Sequence, residues 1–212
     1  MTATSAAPPH YSRASRSRAA VARPPRRFTA DEYHRMAEAG ILDNDERIEL
    51  LDGRIVTMSP IGSPHFAAVN RLNRLFGRVH GVPALVSVQN PVRLNNDSEP
   101  EPDVALLRPR DDFYAERLPS ADDVLLLVEV ADTSLDSDRA DKLPLYAHCG
   151  VPEVWIAAVE GEAREEGFLE TYRGPSPNGE YEDCRRHRRG DTLTPGAFPG
   201  TTVSVDDVLG AP

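Results

Sequence analysis

The sequence predicts a single α/β (α+β) domain, a mixed sheet with helices against it, and three observations carry that prediction. Segments with apolar residues at helical spacing alternate with segments of strand character. The run Val124-Leu125-Leu126-Leu127-Val128-Glu129-Val130 is apolar almost throughout, as a strand buried on both faces must be, and belongs at the centre of the sheet. The length of 212 residues, with 40% hydrophobic and 27% charged, suits one sizeable core and gives no reason to expect two.

Residues 1–27 hold six arginines (Arg13, Arg16, Arg18, Arg23, Arg26, Arg27) and no acid, with Ala, Ser and Pro between them and no apolar period. Such a segment buries too little surface to offset its ordering entropy, so 1–27 is expected to be a disordered basic tail and 28–212 the domain. A nucleic-acid-binding arm is the functional alternative, and the composition also resembles an organelle transit peptide. Ordered sequence begins at Phe28: Thr29 followed by Glu32 is a capping-box pattern, and Gly40 ends a short first helix. Arg47–Leu51 and Arg54–Met58 flank Asp52-Gly53, a pair that takes the positive φ angles of a tight hairpin turn.

Ser63 and Pro64 read as N-cap and first position of a second helix running to about His80. Its apolar face is Phe66, Val69, Leu72, Leu75, Phe76 and Val79. Strands are expected near Leu85–Leu94, Asp103–Leu107 and Val124–Val130. A helix over Asp138–His148 follows, closed by Gly150 and disturbed by Pro144, and then a strand at Glu153–Val159. The C-terminal part predicts a β-hairpin, Phe168–Arg173 with Tyr181–His187, and an extended segment at Thr201–Val205.

Charge and cysteine content narrow the function. Removing the +6 of the tail from a net charge of −10 leaves −16 on residues 28–212, so any polyanion must be held by local basic residues, metal ions or the arm. Only two cysteines occur, Cys149 and Cys184, without short spacing, and they suggest neither a disulfide framework nor a thiolate zinc site. No apolar run approaches the roughly 18 residues of a membrane span, and a reducing cytoplasm is the expected location.

Glu129 lies inside the apolar strand, where an ionised carboxylate is costly unless a cation or hydrogen bonds compensate it. Its structural alternative is an outward-pointing end residue or an arginine pair. Asp103 opens the strand Asp103–Leu107, so neighbouring strands can bring the two acids together, and oxygen ligands of this kind suit Mg2+ or Mn2+. The chain contains 23 arginines and one lysine, Lys142, on the helix after the Glu129 strand. A lysine retained where arginine is otherwise always used points to orienting or deprotonating a water, which a guanidinium does badly. Its alternative is a surface lysine near Asp138 and Asp141.

The chain resembles the Uma-two family of the PD-(D/E)XK restriction-endonuclease-like superfamily over Arg27 to Leu209. The segments that carry the resemblance are Arg47 to Gly53, Ser63-Pro64-His65, Pro102-Asp103-Val104, Leu127 to Val130, and Lys142 through Tyr146 to Trp155. The resemblance implies a restriction-endonuclease-like core with Asp103 and Glu129 as metal ligands and Glu49 as a further acidic ligand. The superfamily lysine belongs two residues after the second acid, which here is Ala131, so Lys142 takes that role from the next helix.

The expectation is therefore a metal-dependent endonuclease acting on DNA, with Asp103, Glu129, Lys142 and Glu49 as catalytic residues. A homodimer would cut two strands. The rival is a non-catalytic interaction module on the same fold, and hydrolysis of a smaller phosphodiester is a third reading. His65 and the cluster Arg185, Arg186, His187, Arg188 and Arg189 read as surface residues in preference to phosphate contacts. Tyr146 and Trp155 read as core and not as site residues.

Overall fold

In the computed structural model, which describes residues 24–43, 45–78, 84–159 and 167–210, the chain enters the fold through its predicted capping box. Thr29 Oγ1 accepts from Glu32 N at 3.2 Å and Glu32 Oε2 accepts from Thr29 N at 3.1 Å, which starts α1 (Ala30–Glu38). Residues 1–23 of the expected tail lie outside the described residues. At its end Arg26 pairs with Glu32 at 2.6 Å and Arg27 donates to the Asp52 carbonyl at 2.6 Å, so contacts with the domain begin slightly before Phe28.

β1 (Ile48–Leu51) and β2 (Arg54–Thr57) form the expected hairpin, with Asp52 and Gly53 at φ 52° and 69°. Gly53 is needed for space as well, because a Cβ there would stand 2.5 Å from Arg27 Cβ. The second helix, α2 (Ser63–Phe76), starts one residue earlier than expected: Gly62 is the N-cap and Ser63 is already helical. It stops at Phe76, where the apolar period gives way to Gly77; Val79 and His80 lie outside the described residues.

The expected strand Leu85–Leu94 is regular only over Leu85–Val88 (β3), because the chain turns at Gln89, φ 51°, and Val92 and Leu94 then pack in the core as irregular structure. β4 (Val104–Leu107), β5 (Val124–Ala131), β6 (Glu153–Ala158), β7 (Phe168–Pro175) and β8 (Tyr181–His187) complete a six-stranded sheet in the order β3-β4-β5-β6-β7-β8. Only β5 and β6 are parallel. The expectation of a central strand around Glu129 holds.

The crossover from β5 to β6 is one helical stretch: α3 (Leu135–Ser137), a π turn (Asp138–Lys142) and α4 (Leu143–His148). It begins three residues before the expected Asp138. Pro144 falls in the first turn of α4, directly after the π turn in which Leu143 N bonds Asp138 O, so the disturbance expected there is a change of helix type and a fresh α start. Gly150, at φ 78°, closes α4 in a Schellman arrangement, with Val151 N on Tyr146 O and Gly150 N on Ala147 O, both 3.0 Å. In place of the extended segment Thr201–Val205, a two-residue strand β10 (Val203–Ser204) pairs with β9 (Thr192–Leu193) and leads into α5 (Val205–Leu209).

Side chains of one parity on the sheet face α2 and α5: Val104, Leu106, Leu126, Val128, Val130 and Trp155. The other parity, Ala105, Leu107, Leu127, Ala131, Val154 and Ile156, faces α4 and the β1–β2 hairpin. Glu129 belongs to the second set. The residue before Val104 does too, so Asp103 and Glu129 emerge on the same face. No helix among the described residues is long and apolar enough to cross a membrane.

Candidate active site

The antiparallel register of β4 and β5 pairs Val104 with Val128, so the next step along both strands places Asp103 beside Glu129 at the end of the sheet. The β1–β2 hairpin closes over this end and contributes Glu49. The π turn adds Asp138 and Lys142, and the start of α2 adds His65. Together they line a cleft of about 110 Å³. All four sequence-derived site residues, Asp103, Glu129, Lys142 and Glu49, meet there.

Lys142 is buried, 8% exposed, and not the surface residue of the alternative reading. Its Nζ lies 3.2 Å from Glu49 Oε2 and 3.3 Å from Glu129 Oε1. Glu129 therefore finds a lysine where an arginine partner was the alternative. Its Oε1 also accepts from the Tyr146 hydroxyl, so Tyr146 is fully buried and at the same time part of the site, which corrects its assignment to the core alone. Glu49 Oε2 accepts from Glu101 N at 3.1 Å.

Asp103 is held from three sides. Oδ2 accepts from Val130 N at 2.8 Å, Oδ1 accepts from the Gln89 side-chain amide at 3.2 Å, and His65 Nε2 is 3.0 Å from both oxygens. His65 is thus a site residue, contrary to its surface reading, and its other ring nitrogen is buried with no partner among the described residues. Gln89 also bonds the Asp103 carbonyl through its own N–H at 3.1 Å. Its left-handed backbone, which costs about 1–2 kcal/mol for a non-glycine residue, is what aims both groups at Asp103.

Four carboxylates (Glu49, Asp103, Glu129, Asp138) are buried against one ammonium, a formal charge of −3. The consequences are electrostatic. Burial pushes Glu129 up to about 8, with Lys142 drawing it down and Asp138, Asp103 and Glu49 pushing it further up. Burial also raises Asp138 to about 6, against the opposing pull of Lys142 and of a 2.7 Å bond from Ser134. For Lys142 burial acts to lower the pKa, but Glu129, Glu49 and Asp138 outweigh it and hold the ammonium well above the ordinary lysine range. The three carboxylates thus favour the charged form of Lys142, which suits the water-orienting one of its two expected roles.

The donors are all oxygen, which fits a hard divalent ion, and one such ion would bring the cleft from −3 to −1. Among the described residues no three His, Cys, Asp or Glu side chains form a ready metal cage, because Lys142 stands between Glu49 and Glu129. Asp103 and Glu129, side by side on neighbouring strands, are the residues that would hold such an ion, with Glu49 across the lysine.

Sequence reasoning missed Gln89 and Asp138 as site residues. Asp138 had a signal, since it lies one helical turn before Lys142; Gln89 had none. The arginine cluster near the C terminus keeps its surface reading. Arg185 pairs with Asp183 at 2.8 Å, Arg186 with Glu170 at 3.0 Å and Arg189 with Asp206 at 3.2 Å. Trp155 is core, its indole N–H donating to Glu153 at 2.7 Å.

A mixed six-stranded sheet carrying acidic residues at one strand end, under helices on both faces, places the chain in a fold shared with a crystal structure of a "putative nuclease belonging to DUF820" from Anabaena variabilis ATCC 29413. The two superpose with a TM-score of 0.63 at 14% identity, covering 86% of this chain and 97% of that one. The Uma2 family, described as "Putative restriction endonuclease", matches residues 30–206, and the chain belongs to that family. No curated protein matches it.

Proposed function

We propose that the protein is a metal-dependent endonuclease that hydrolyses phosphodiester bonds in DNA. The observation that carries this reading is the buried excess of carboxylate in the cleft, four acids around one lysine, in a chain of this family. Asp103 and Glu129 would hold Mg2+ or Mn2+, and Glu49 would assist. The ion, when bound, would supply Lewis-acid stabilisation of the charge that grows on the phosphate as water attacks.

The protein's own groups have distinct tasks. The Lys142 ammonium has three hydrogens, of which two are directed to Glu49 and Glu129, leaving the third to orient the attacking water or a phosphate oxygen. Tyr146 fixes the Glu129 carboxylate. His65, Gln89 and the Val130 amide fix Asp103 before substrate arrives, so no reorganisation is needed at that ligand. Water adds to phosphorus as the bond to the bridging oxygen breaks; the proton the water gives up passes to solvent, and solvent returns one to the departing alkoxide. Cutting both strands of a duplex takes two such sites, and a homodimer accompanies that form of the reading.

The test is incubation of the purified protein with plasmid and with single-stranded DNA, with Mg2+ or Mn2+ and then with chelator. Metal-dependent cutting is expected. The second reading, a non-catalytic interaction module, is favoured by the −16 balance of residues 28–212, and absence of cutting under either metal would support it.

A further inference from the structure

Four large apolar side chains are well exposed among the described residues, Ile41, Ile61, Phe66 and Phe113. Two of them flank the candidate active site. Ile61 lines the cleft, and Phe66 follows His65, whose ring bonds Asp103. Ile61 and Phe66 occupy the positions before the N-cap and fourth in the helix that define a hydrophobic staple, which accounts for their apolar character. A staple does not account for Phe66 remaining 64% exposed.

From Phe66 the solvent face of α2 continues through Asn70, Asn73 and Arg74, and Arg78 follows two residues past the helix end, all of them exposed. The helical rise puts Phe66 and Arg74 about 12 Å apart along the axis. Between Ser63 and Arg78 there are three arginines and no acid, in a chain whose net charge is −10.

We propose that this face of α2 is the track on which an unpaired DNA strand lies as it enters the cleft. Phe66 stacks on the base next to the phosphate to be cut, and Arg74 and Arg78 meet backbone phosphates further along. The inference rests on the nuclease reading and adds a strand preference to it. An aromatic ring beside a cationic stripe binds single strands of any sequence, because every base has a π face and the backbone follows the charge. In a duplex those faces are already stacked on each other, so Phe66 gains nothing without unstacking them. Asp206 and Asp207 of α5 share a groove with Arg74 and Arg78, and only Asp206 is engaged by Arg189. The arginine contribution is therefore the smaller one, and Phe66 carries most of the affinity.

The full chain, kept in chelator so that nothing is cut, is titrated into a fluorescently labelled single-stranded oligonucleotide and into the same sequence as a duplex. Single strands should bind more tightly. Phe66→Ala should weaken single-strand binding about tenfold or more, Phe66→Trp should retain it with its indole emission quenched by the bound strand, and Arg74→Ala should weaken it less than Phe66→Ala. Circular dichroism should be unchanged for each, since these side chains lie at the surface. Unchanged binding by Phe66→Ala, or an equal loss for duplex and single strand, overturns the inference. Wild-type cutting with magnesium is followed in parallel. If the wild type cuts and Phe66→Ala binds and cuts equally well, the track is wrong and the nuclease reading stands. If the wild type cuts nothing while Phe66→Ala loses single-strand binding, the track stands and the catalytic reading falls.

Discussion

Lys142→Met removes the ammonium shared by Glu49 and Glu129 while keeping most of the side chain's length and packing. Breaking a buried ion pair by removing one partner costs about 3–5 kcal/mol, because the remaining charge is left desolvated and uncompensated. For a domain of this size that is a fall in Tm of roughly 6–20 °C. The cost must depend on pH with a definite sign. Glu129 is raised by burial to about 8, above its ordinary value, so between the two the folded state holds a proton that the unfolded state lacks. Stability from this group is present at low pH and is lost as pH rises through about 8, by at most about 1.4 kcal/mol per pH unit for one proton. Without Lys142, which draws the Glu129 pKa down, the loss extends to higher pH. Urea unfolding of parent and variant at pH 6 and pH 9, without metal, should therefore show a cost that is larger at pH 9 than at pH 6 by about 1.4 kcal/mol, because the parent's Glu129 stops losing stability near pH 8 while the variant's continues. Adding Glu129→Gln to Lys142→Met should recover part of the loss at pH 9. Equal costs at both pH values would refute the electrostatic argument, and a cost below about 1 kcal/mol at pH 9 would refute the burial of the pair.

Magnesium or manganese should raise the Tm of the parent by binding the native state alone, and Asp103→Asn and Glu129→Gln should each lose most of that rise; an undiminished shift in both would put the ion elsewhere. Gly150→Ala should lower stability by about 1–2 kcal/mol, because its φ of 78° is costly for any residue with a Cβ although open space surrounds it, and a thermal melt reads the loss directly. Arg185→Ala should change stability by less than about 0.5 kcal/mol and leave the proposed DNA cutting unaltered, since its charged partner among the described residues is the neighbouring surface carboxylate of Asp183; a clear loss of cutting would return the C-terminal arginines to the substrate path.

Much of the site could be read from local pattern. Glu129 is conspicuous because it interrupts an apolar run that predicts burial, and Lys142 because no other lysine exists in the chain. Asp103 is marked by its place at the start of a strand. Glu49 carries no such mark; it entered through family resemblance, and its approach to Lys142 spans 93 positions of sequence, from a hairpin that is not part of the main sheet. Tyr146 shows why residue type misleads: in an apolar context its ring is core, and only the position of its hydroxyl against Glu129 brings it into the candidate site.

The sequence by itself determined the elements whose causes are local: the capping box at Thr29, the Asp52-Gly53 turn, the Gly150 stop, the continuous apolar run that buries both faces of β5, and the class of fold these make. Tertiary structure alone decided the strand order, the register that sets Asp103 beside Glu129, the turn at Gln89 that cuts β3 short and aims its amide at Asp103, and the placing of His65 against that same carboxylate. The reason is physical. Turn angles, caps and apolar period are fixed by a residue and its near neighbours, whereas the charge state of Lys142 and Glu129 depends on how much water the packed hairpin, sheet and π turn exclude together.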